Sequence, residues 1–272
     1  MTTTTVTELA GRLLAGAAPP AADVDGLGAL FRAWCAAVPY DTTRKLAGIA
    51  ENPNGPLWGL DPNELLGQAL LTGTGGTCFP LAAGFAALAT GVGLDAAVHI
   101  ANPDDPTYSE HAVVIVTIDG ARYLCDPAFL HLCPARLPTR DGQRVLVGPR
   151  SSPLEVTRRD GLITFAVQRG TSTTQRWYHH LDRAVDAAEL AERYETAGRW
   201  AAGMRPYLRF ARGAHQVVID ANQITTKGAG GLQVRPLRDD TLHDQLAAAT
   251  QWVGEPLELL YAQISGAQAQ QS

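Results

Sequence analysis

Lysine, cysteine and charge of either sign are all scarce in this sequence of 272 residues. Lys45 and Lys227 are the only lysines, charged residues make up 18% of the chain, and the formal net charge is −5. A chain with this balance and no basic run lacks the electrostatic surface that binds nucleic acid or anionic membranes. Hydrophobic residues make up 46% of the chain, which excludes a disordered protein. The length predicts one large domain or about two to three small ones.

The few cysteines lie in unlike sequence surroundings, at Cys35, Cys78, Cys125 and Cys133. A secreted protein held together by disulfides is normally shorter and richer in cysteine. The first residues contain neither the charged segment nor the apolar segment of a signal peptide. The sequence therefore predicts a soluble, cytoplasmic protein with free thiols.

A long uncharged run, residues 71–94, has a length that fits a membrane span. The run is rich in Gly, Thr and Ala, and Gly75, Gly76 and Pro80 interrupt its first half. These residues favour a tight loop followed by a buried helix over residues 79–91.

Helical periodicity dominates the first third of the chain. Apolar residues recur at helical spacing over residues 25–38. Asp61 and Glu64 form a capping-box pattern at the start of another helix, with Pro62 at its first position. A further helix is predicted from Asp186.

Apolar, β-branched runs predict strands in the rest of the chain. Asp119–Gly120 and Asp160–Gly161 are turn signals that join neighbouring strands into hairpins. The predicted hairpins and strands cover residues 111–126, 144–149, 153–168, 174–181, 215–220 and 231–237, and a last helix covers 239–252. Changes of period divide the chain into residues 1–95, 96–185 and 186–272.

Cys78 is the first candidate for a catalytic residue. It follows a glycine-rich turn and stands at the start of the predicted uncharged helix. The start of a helix carries unpaired N–H groups and a partial positive charge, which favour a thiolate. The same N–H groups can stabilise the oxyanion of a tetrahedral intermediate. The alternative is an inert buried thiol, which is the usual state of a free cysteine.

The first hairpin places a histidine and an aspartate together. If Asp119–Gly120 is a two-residue loop, Ile118 pairs with Ala121. Continuing that register makes His111 and Asp126 diagonal neighbours on one face of the sheet. An imidazole oriented by a carboxylate can activate a thiol. The alternative is a structural hydrogen bond without a catalytic role.

Three segments, in this order, resemble the core of the arylamine N-acetyltransferase family. AVPYDTTRKLAG (37–48) is similar to the family's Pro-(Phe/Tyr)-acidic/amide segment. GTGGTCFP (73–80) is similar to its Gly-Gly-x-Cys-Phe segment, which opens a buried helix. EHAVVIVTIDGARYLCDPAF (110–129) is similar to its strand that begins with His and the next strand, which ends in Asp. The resemblance covers about residues 28–130 and is poor thereafter.

The resemblance implies an α+β fold with an N-terminal helical bundle, a central antiparallel β-barrel and a C-terminal α/β lid, around a cysteine-proteinase-like core. It makes Cys78 the nucleophile, His111 the general base and Asp126 the orienting carboxylate. It also implies an acyltransferase that moves an acyl group from a thioester to a small-molecule amine through an acyl-cysteine. The thioester is an acyl-CoA or an acyl-pantetheine on an acyl carrier protein. No bound cofactor and no metal is expected.

Two places depart from the family pattern. Thr74 stands where the family has an Arg before the Gly-Gly, and residues 127–131 are bulky where the family has small residues near the pantetheine arm. The second difference favours a carrier-bound donor, as in an amide synthase. A transglutaminase-like or protease-like cysteine enzyme with an amide donor is the alternative function. A binding protein that has lost its activity is a third class, which the intact triad disfavours.

Two further groups of residues are weaker candidates. Cys125, His131 and Cys133 resemble part of a zinc site but lack a nearby fourth ligand. Five aromatic residues fit either a substrate cleft or the core: Trp177, Tyr178, Trp200, Tyr207 and Phe210.

Overall fold

A computed structural model describes residues 6–14, 16, 20–101, 110–147, 154–169, 173–179, 181, 183–199, 205–213, 215–228 and 231–270. The helices are α1 (Val6–Leu13), α2 (Val24–Ala37), α3 (Thr43–Glu51), α4 (Pro62–Thr72), α5 (Cys78–Gly91), α6 (Ala187–Ala197), α7 (Leu242–Thr250) and α8 (Glu255–Ala269). The strands are β1 (Tyr40–Asp41), β2 (Asp95–Ala101), β3 (His111–Ile118), β4 (Ala121–Cys125), β5 (Ala135–Arg136), β6 (Arg144–Val147), β7 (Leu154–Arg159), β8 (Leu162–Arg169), β9 (Thr173–His179), β10 (Tyr207–Arg212), β11 (His215–Asp220), β12 (Gln223–Gly228) and β13 (Gly231–Pro236).

The helix that carries Cys78 is fixed by a core of large side chains. α5 has no charged residue, and its Phe85 and Leu88 are fully buried. Phe31 and Trp34 of α2 meet the ring of Phe85 edge-on, with ring centroids 5.2 and 5.4 Å apart. Each buried side chain of this size contributes about 1.5–3 kcal/mol to stability. The position of α5 is therefore determined by packing along its length.

The uncharged run at residues 71–94 is divided among three pieces of structure. It contains the end of α4, a glycine-rich loop and the 14-residue α5. The predicted loop and buried helix are confirmed, with the helix beginning at Cys78. In the described part of the chain, no helix is both long enough and apolar enough to cross a bilayer.

The start of α4 carries a simpler cap than predicted. Pro62 stands in its first turn and Asp61 is its N-cap, as the sequence indicates. Asp61 Oδ1 accepts the backbone N–H of Asn63 at 2.9 Å. The capping box would have used the N–H of Glu64, so the cap is confirmed and its partner is corrected.

Two four-stranded antiparallel sheets follow α5, with strand orders β2-β3-β4-β5 and β6-β7-β8-β9. Both faces of the first sheet are covered. Val114 and Val116 of β3 belong to the helical core, whereas Val113 and Ile115 belong to a second core shared with the other sheet. A strand buried on both faces is encoded by a continuous apolar run, and the sequence of β3 has this character.

The central β-barrel implied by the resemblance is corrected by the sheet topology. β5 lies beside β6 and β9 lies beside β2. Among the described strands, however, no ladder of backbone hydrogen bonds joins either pair. Side chains such as Ile115, Val156 and Phe165 hold the two sheets together through the second core. The described strands of the central part therefore form two packed antiparallel sheets, and no closed barrel is seen among them.

The last sheet has five antiparallel strands in the order β1-β10-β11-β12-β13. Its edge strand β1 comes from the first third of the chain, where Tyr40 pairs with Arg209 and Asp41 pairs with Leu208. Residues of α7 and α8, including Leu246, pack with this sheet in a third core. The pairing of β1 with β10 attaches the C-terminal sheet to the segment just before α3.

Candidate active site

The loop before Cys78 makes close backbone contacts that require glycine. A Cβ atom at Gly75 would overlap the carbonyl oxygen of Pro39. Asp41, which is 1% exposed, accepts the N–H of Gly75 at 3.3 Å through Oδ2. The N–H of Asp41 in turn donates to the carbonyl of Gly76 at 2.9 Å. β1 therefore fixes the backbone that leads into Cys78.

Cys78 is the first residue of α5 and is half-buried. Burial acts to raise the pKa of its thiol. The hydrogen bond and positive charge of His111, together with the backbone N–H of Ala112, outweigh burial and hold the pKa below its ordinary value. The first turn of α5 contains no acidic residue that would repel a thiolate. The sulfur therefore lies in an environment that favours its anionic form.

The hairpin that carries His111 and Asp126 has the predicted register. Ile118 pairs with Ala121 across the turn at Asp119–Gly120, whose residues have φ angles of 50 and 74°. Nε2 of His111 lies 2.8 Å from Oδ2 of Asp126. The predicted contact between these two side chains is confirmed.

The imidazolium of His111 and its two anionic neighbours, Cys78 and Asp126, stabilise each other's charged forms. Burial opposes the imidazolium form, but the charge and hydrogen bond of Asp126, together with Cys78, raise the pKa of His111 to about 10. Burial likewise acts to raise the pKa of Asp126, yet the imidazolium of His111 keeps it below its usual range. The arrangement can hold a thiolate–imidazolium pair at neutral pH, which is the nucleophilic state of a cysteine.

The loop after Asp126 folds back over His111. Asp126 Oδ1 accepts the N–H groups of Ala128 and Phe129, both at 3.1 Å. The ring of Phe129 stands edge-on to the imidazole of His111, with centroids 5.3 Å apart. Phe129, one of the bulky residues that depart from the family pattern, therefore covers the histidine.

A cavity of about 310 Å³ opens beside Cys78 and His111. Its wall combines α3, the loop after Asp126 and β10, and it includes Tyr40, Thr42, Lys45, Phe129, Tyr207 and Arg209. Thr42 joins two of these elements, because its Oγ1 accepts the N–H of Tyr207 at 2.9 Å. The C-terminal sheet therefore forms one side of the cavity that holds the sulfur.

Of the five aromatic candidates, Tyr207 lines the cavity. Phe210 packs against the third core instead. Trp200 and the side chains of Trp177 and Tyr178 lie outside the described part of the structure.

Sequence reasoning missed Lys45, which lines the same cavity. It is 3% exposed, and its Nζ donates to the carbonyl of Gly198 at 2.9 Å. Burial lowers its pKa to about 8, while the charge of Cys78 acts in the opposite direction. The sequence did contain a signal for Lys45. It is one of only two lysines in the chain, and it lies in the segment similar to the family's Pro-(Phe/Tyr) segment.

Cys125, His131 and Cys133 do not form a metal site. Cys125 is fully buried in the helical core, and burial raises the pKa of its thiol. His131 stacks on Phe129 at 5.7 Å, and burial lowers its pKa to about 4. Within the described ranges, no group of three or more His, Cys, Asp or Glu side chains is arranged to hold a metal ion.

The fold and one family model together define an acyltransferase. The model describes the N-acetyltransferases and matches residues 23–178, which is more than half of the chain. The chain belongs to this family, the arylamine N-acetyltransferases, as the sequence resemblance implied. No curated protein sequence matches the chain.

Solved structures of arylamine N-acetyltransferases share the fold over almost the whole chain. The protein from Mycobacterium abscessus has a TM-score of 0.76 at 15% identity, covering 95% of this chain and 94% of its own. The protein from Salmonella typhimurium has a TM-score of 0.76 at 14% identity, covering 97% and 99%. The protein from Mycobacterium marinum, solved in complex with CoA, has a TM-score of 0.72 at 18% identity, covering 93% and 96%.

Proposed function

We propose that the protein forms amides by moving an acyl group from an acyl-CoA to an amine through an acyl-Cys78 intermediate. One observation carries this proposal. His111 is hydrogen-bonded to both Cys78 and Asp126, at the wall of a cavity that also exposes the sulfur. This arrangement supplies a nucleophile, a proton carrier and an orienting carboxylate in one place.

In the first half-reaction, the thiolate of Cys78 attacks the carbonyl carbon of the thioester. The C–S bond to the enzyme forms as the carbonyl electrons move to oxygen, where N–H groups at the start of α5 are suitable donors. Collapse of this intermediate breaks the C–S bond to CoA. The departing thiolate takes the proton of the His111 imidazolium and leaves as free CoA, and the imidazole becomes neutral.

In the second half-reaction, a neutral amine attacks the carbonyl carbon of acyl-Cys78. Neutral His111 removes a proton from the attacking nitrogen, and the sulfur of Cys78 leaves as a thiolate. The products are the amide and the original thiolate–imidazolium pair. Phe129 and Tyr207 limit the access of water to the acyl-enzyme, which favours transfer over hydrolysis.

Coenzyme A is the proposed donor because a structural neighbour is in complex with CoA. Arylamines are the proposed acceptors because the structural neighbours are arylamine N-acetyltransferases. An acyl group on a carrier protein presents the same pantetheine thioester, so it is the second donor to be compared.

A half-reaction assay tests the proposal. The protein is mixed with acetyl-CoA without an amine, and free CoA thiol is measured against time. We expect a burst of about one equivalent of CoA per protein, followed by slow release. Adding 4-methoxyaniline should restart release and yield one amide per CoA.

Cys78→Ser should abolish the burst, whereas Cys35→Ser, which alters a thiol buried in the helical core, should retain it. A burst that persists in Cys78→Ser would contradict the proposal. So would cleavage of aryl amides without thioester consumption, which is the behaviour of a protease-like or transglutaminase-like enzyme. Acetyl-pantetheine on a carrier protein, run in parallel, identifies the better donor.

A further inference from the structure

The cavity beside Cys78 contains two cations that have no carboxylate partner among the described residues. Lys45 and Arg209 both line it. Lys45 is 3% exposed, and a lysine buried to this extent is normally paired with an acid. Among the described residues, its one hydrogen-bond partner is the neutral carbonyl of Gly198. Two of its three ammonium protons remain for a ligand.

Arg209 is held by neutral groups. Nη1 donates to the carbonyl of Ala128 at 2.9 Å, and Nη2 donates to the hydroxyl of Tyr207 at 2.7 Å. Its Nε is buried and has no partner in the described part of the chain. The guanidinium also lies over the ring of Phe129, 5.0 Å from the centroid. The described surroundings therefore orient Arg209 but do not neutralise its charge.

Among the described residues, two acids at or beside the cavity, Glu110 and Asp126, have cationic partners. Glu110 lines the cavity, and its Oε1 accepts a hydrogen bond from Arg193 at 2.7 Å. Asp126 is paired with His111. Among the described residues, the sulfur of Cys78 is the negative group that acts to raise the pKa of Lys45. Acylation of Cys78 removes that negative charge at the stage when the acceptor amine binds.

We propose that Lys45, assisted by Arg209, binds a carboxylate carried near the reacting end of one of the two substrates. This inference rests on the proposed function and narrows its substrate class. The phosphates of CoA cannot be this negative group, because the uncharged pantetheine arm separates them from the thioester. Lys45 and Cys78 line the same cavity of about 310 Å³, so a ligand of Lys45 in this cavity lies close to the thioester carbon. The carboxylate belongs either to the amine, as in an aminobenzoate, or to the acyl group, as in succinyl.

Two pairs of matched substrates distinguish these sources. The acceptor arm compares each aminobenzoate isomer with the corresponding aminobenzamide, using acetyl-CoA as donor. The donor arm compares succinyl-CoA with butyryl-CoA, using 4-methoxyaniline as acceptor. In the arm that carries the carboxylate, we expect kcat/KM to favour the acid by roughly ten- to hundredfold, the range of one charge-assisted hydrogen bond.

Lys45→Gln is the informative variant, because its amide can still donate to the carbonyl of Gly198 but carries no charge. It should reduce the acid preference by roughly tenfold or more, while Lys45→Arg should retain most of it. Lys227→Met removes the only other lysine, which lies on β12 and does not line the cavity. It should leave the preference unchanged. The ratio compares two substrates on one enzyme, so an effect of Lys45 on the Cys78 thiolate cancels.

A wild-type enzyme without acid preference in either arm would overturn the inference, and this measurement needs no variant. An acid preference that survives unchanged in Lys45→Gln would also overturn it. The burst of CoA with acetyl-CoA alone shows whether a negative result concerns the carboxylate site or the proposed function. If the burst occurs and the acid preference is absent, only the carboxylate site fails. If the burst is absent, the proposed function itself fails.

Discussion

Oδ2 of Asp41 accepts a hydrogen bond from the backbone N–H of Gly75, across 34 residues of sequence. Oδ1 of the same carboxylate accepts both the N–H and the hydroxyl of Thr43 at 2.7 Å. One buried side chain therefore joins the start of α3 to the loop that leads into Cys78. This bond gives a physical reason for an acidic residue in the segment before the loop that leads into Cys78.

Asp41→Asn should keep the contact with Thr43 and remove the one with Gly75. The amide oxygen can keep the bonds to Thr43, but the NH₂ group faces the N–H of Gly75 and cannot accept it. Burial raises the pKa of Asp41, so removing its charge also removes a desolvation cost and the net loss of stability should be small. We expect the alkylation rate of Cys78 to fall roughly two- to tenfold, which corresponds to about 0.5–1.5 kcal/mol for one hydrogen bond.

The control for this variant is Asp61→Ala, which removes the N-cap of α4. It should lower stability by about 0.5–2 kcal/mol without changing the alkylation rate of Cys78. An alkylation rate in Asp41→Asn equal to that of the wild type would show that the bond to Gly75 does not position the sulfur.

Gly75→Ala tests the close approach to Pro39 of the loop that leads into Cys78. The added Cβ overlaps the carbonyl oxygen of Pro39, so we expect a loss of about 3 kcal/mol or more in the free energy of unfolding. Gly67→Ala, within α4, adds the same methyl group where no atom lies within 4 Å. It should instead stabilise the protein by about 0.5–1 kcal/mol. The free energy of unfolding of both variants is measured by thermal or denaturant unfolding. Equal changes in the two variants would refute the steric explanation.

Local sequence patterns were sufficient for most of the secondary structure around the site. The hairpin register followed from one turn signal, because a two-residue loop fixes every later pair along both strands. The start of α5 followed from the glycine-rich loop and the uncharged run. The contact of His111 with Asp126 is a consequence of that register and was therefore predictable.

Features that depend on distant segments were not predictable in this way. β1 has only two residues, Tyr40 and Asp41, and exists because β10 pairs with it. Lys45 reaches the cavity because α3 packs beside the loop at Gly198, about 150 residues later. The β-barrel implied by the resemblance is corrected to two sheets among the described strands. Apolar alternation could not supply this, because it gives the buried face of a strand and not its neighbour.

The pH dependence of Cys78 alkylation should show the coupling to His111. The pKa of the thiol is lowered and that of His111 is raised to about 10. The thiolate–imidazolium pair is therefore populated between these two pKa values, and the thiolate is lost as the pH falls through the lowered one. In His111→Gln, burial and the charge of Asp126 remain and both raise the pKa of Cys78.

At pH 7 we expect the thiolate fraction of His111→Gln to be about 3% or less. Its alkylation rate should then rise tenfold per pH unit up to the ordinary thiol range. The rate is measured with iodoacetamide from pH 5 to 10, and Cys78→Ser gives the background from the other thiols. Identical profiles for wild type and His111→Gln would exclude the coupling.

Phe129→Ala should increase hydrolysis of the acyl-enzyme. The ring of Phe129 packs against His111 and under the guanidinium of Arg209, so its removal opens a path for water to the thioester. We expect the ratio of acid to amide product to rise several-fold at limiting amine. Phe129→Leu retains apolar bulk and should stay close to the wild type. A ratio that does not move in Phe129→Ala would show that another group excludes water.

The most direct test of the proposed mechanism is the intact mass of the protein after mixing with acetyl-CoA in the absence of an amine. The mechanism predicts an increase by one acetyl group, located by peptide mapping on Cys78. The increase should be absent in Cys78→Ser and should disappear when an arylamine is added, with formation of the amide. Amide formation without any adduct, or an adduct on a residue other than Cys78, would contradict it.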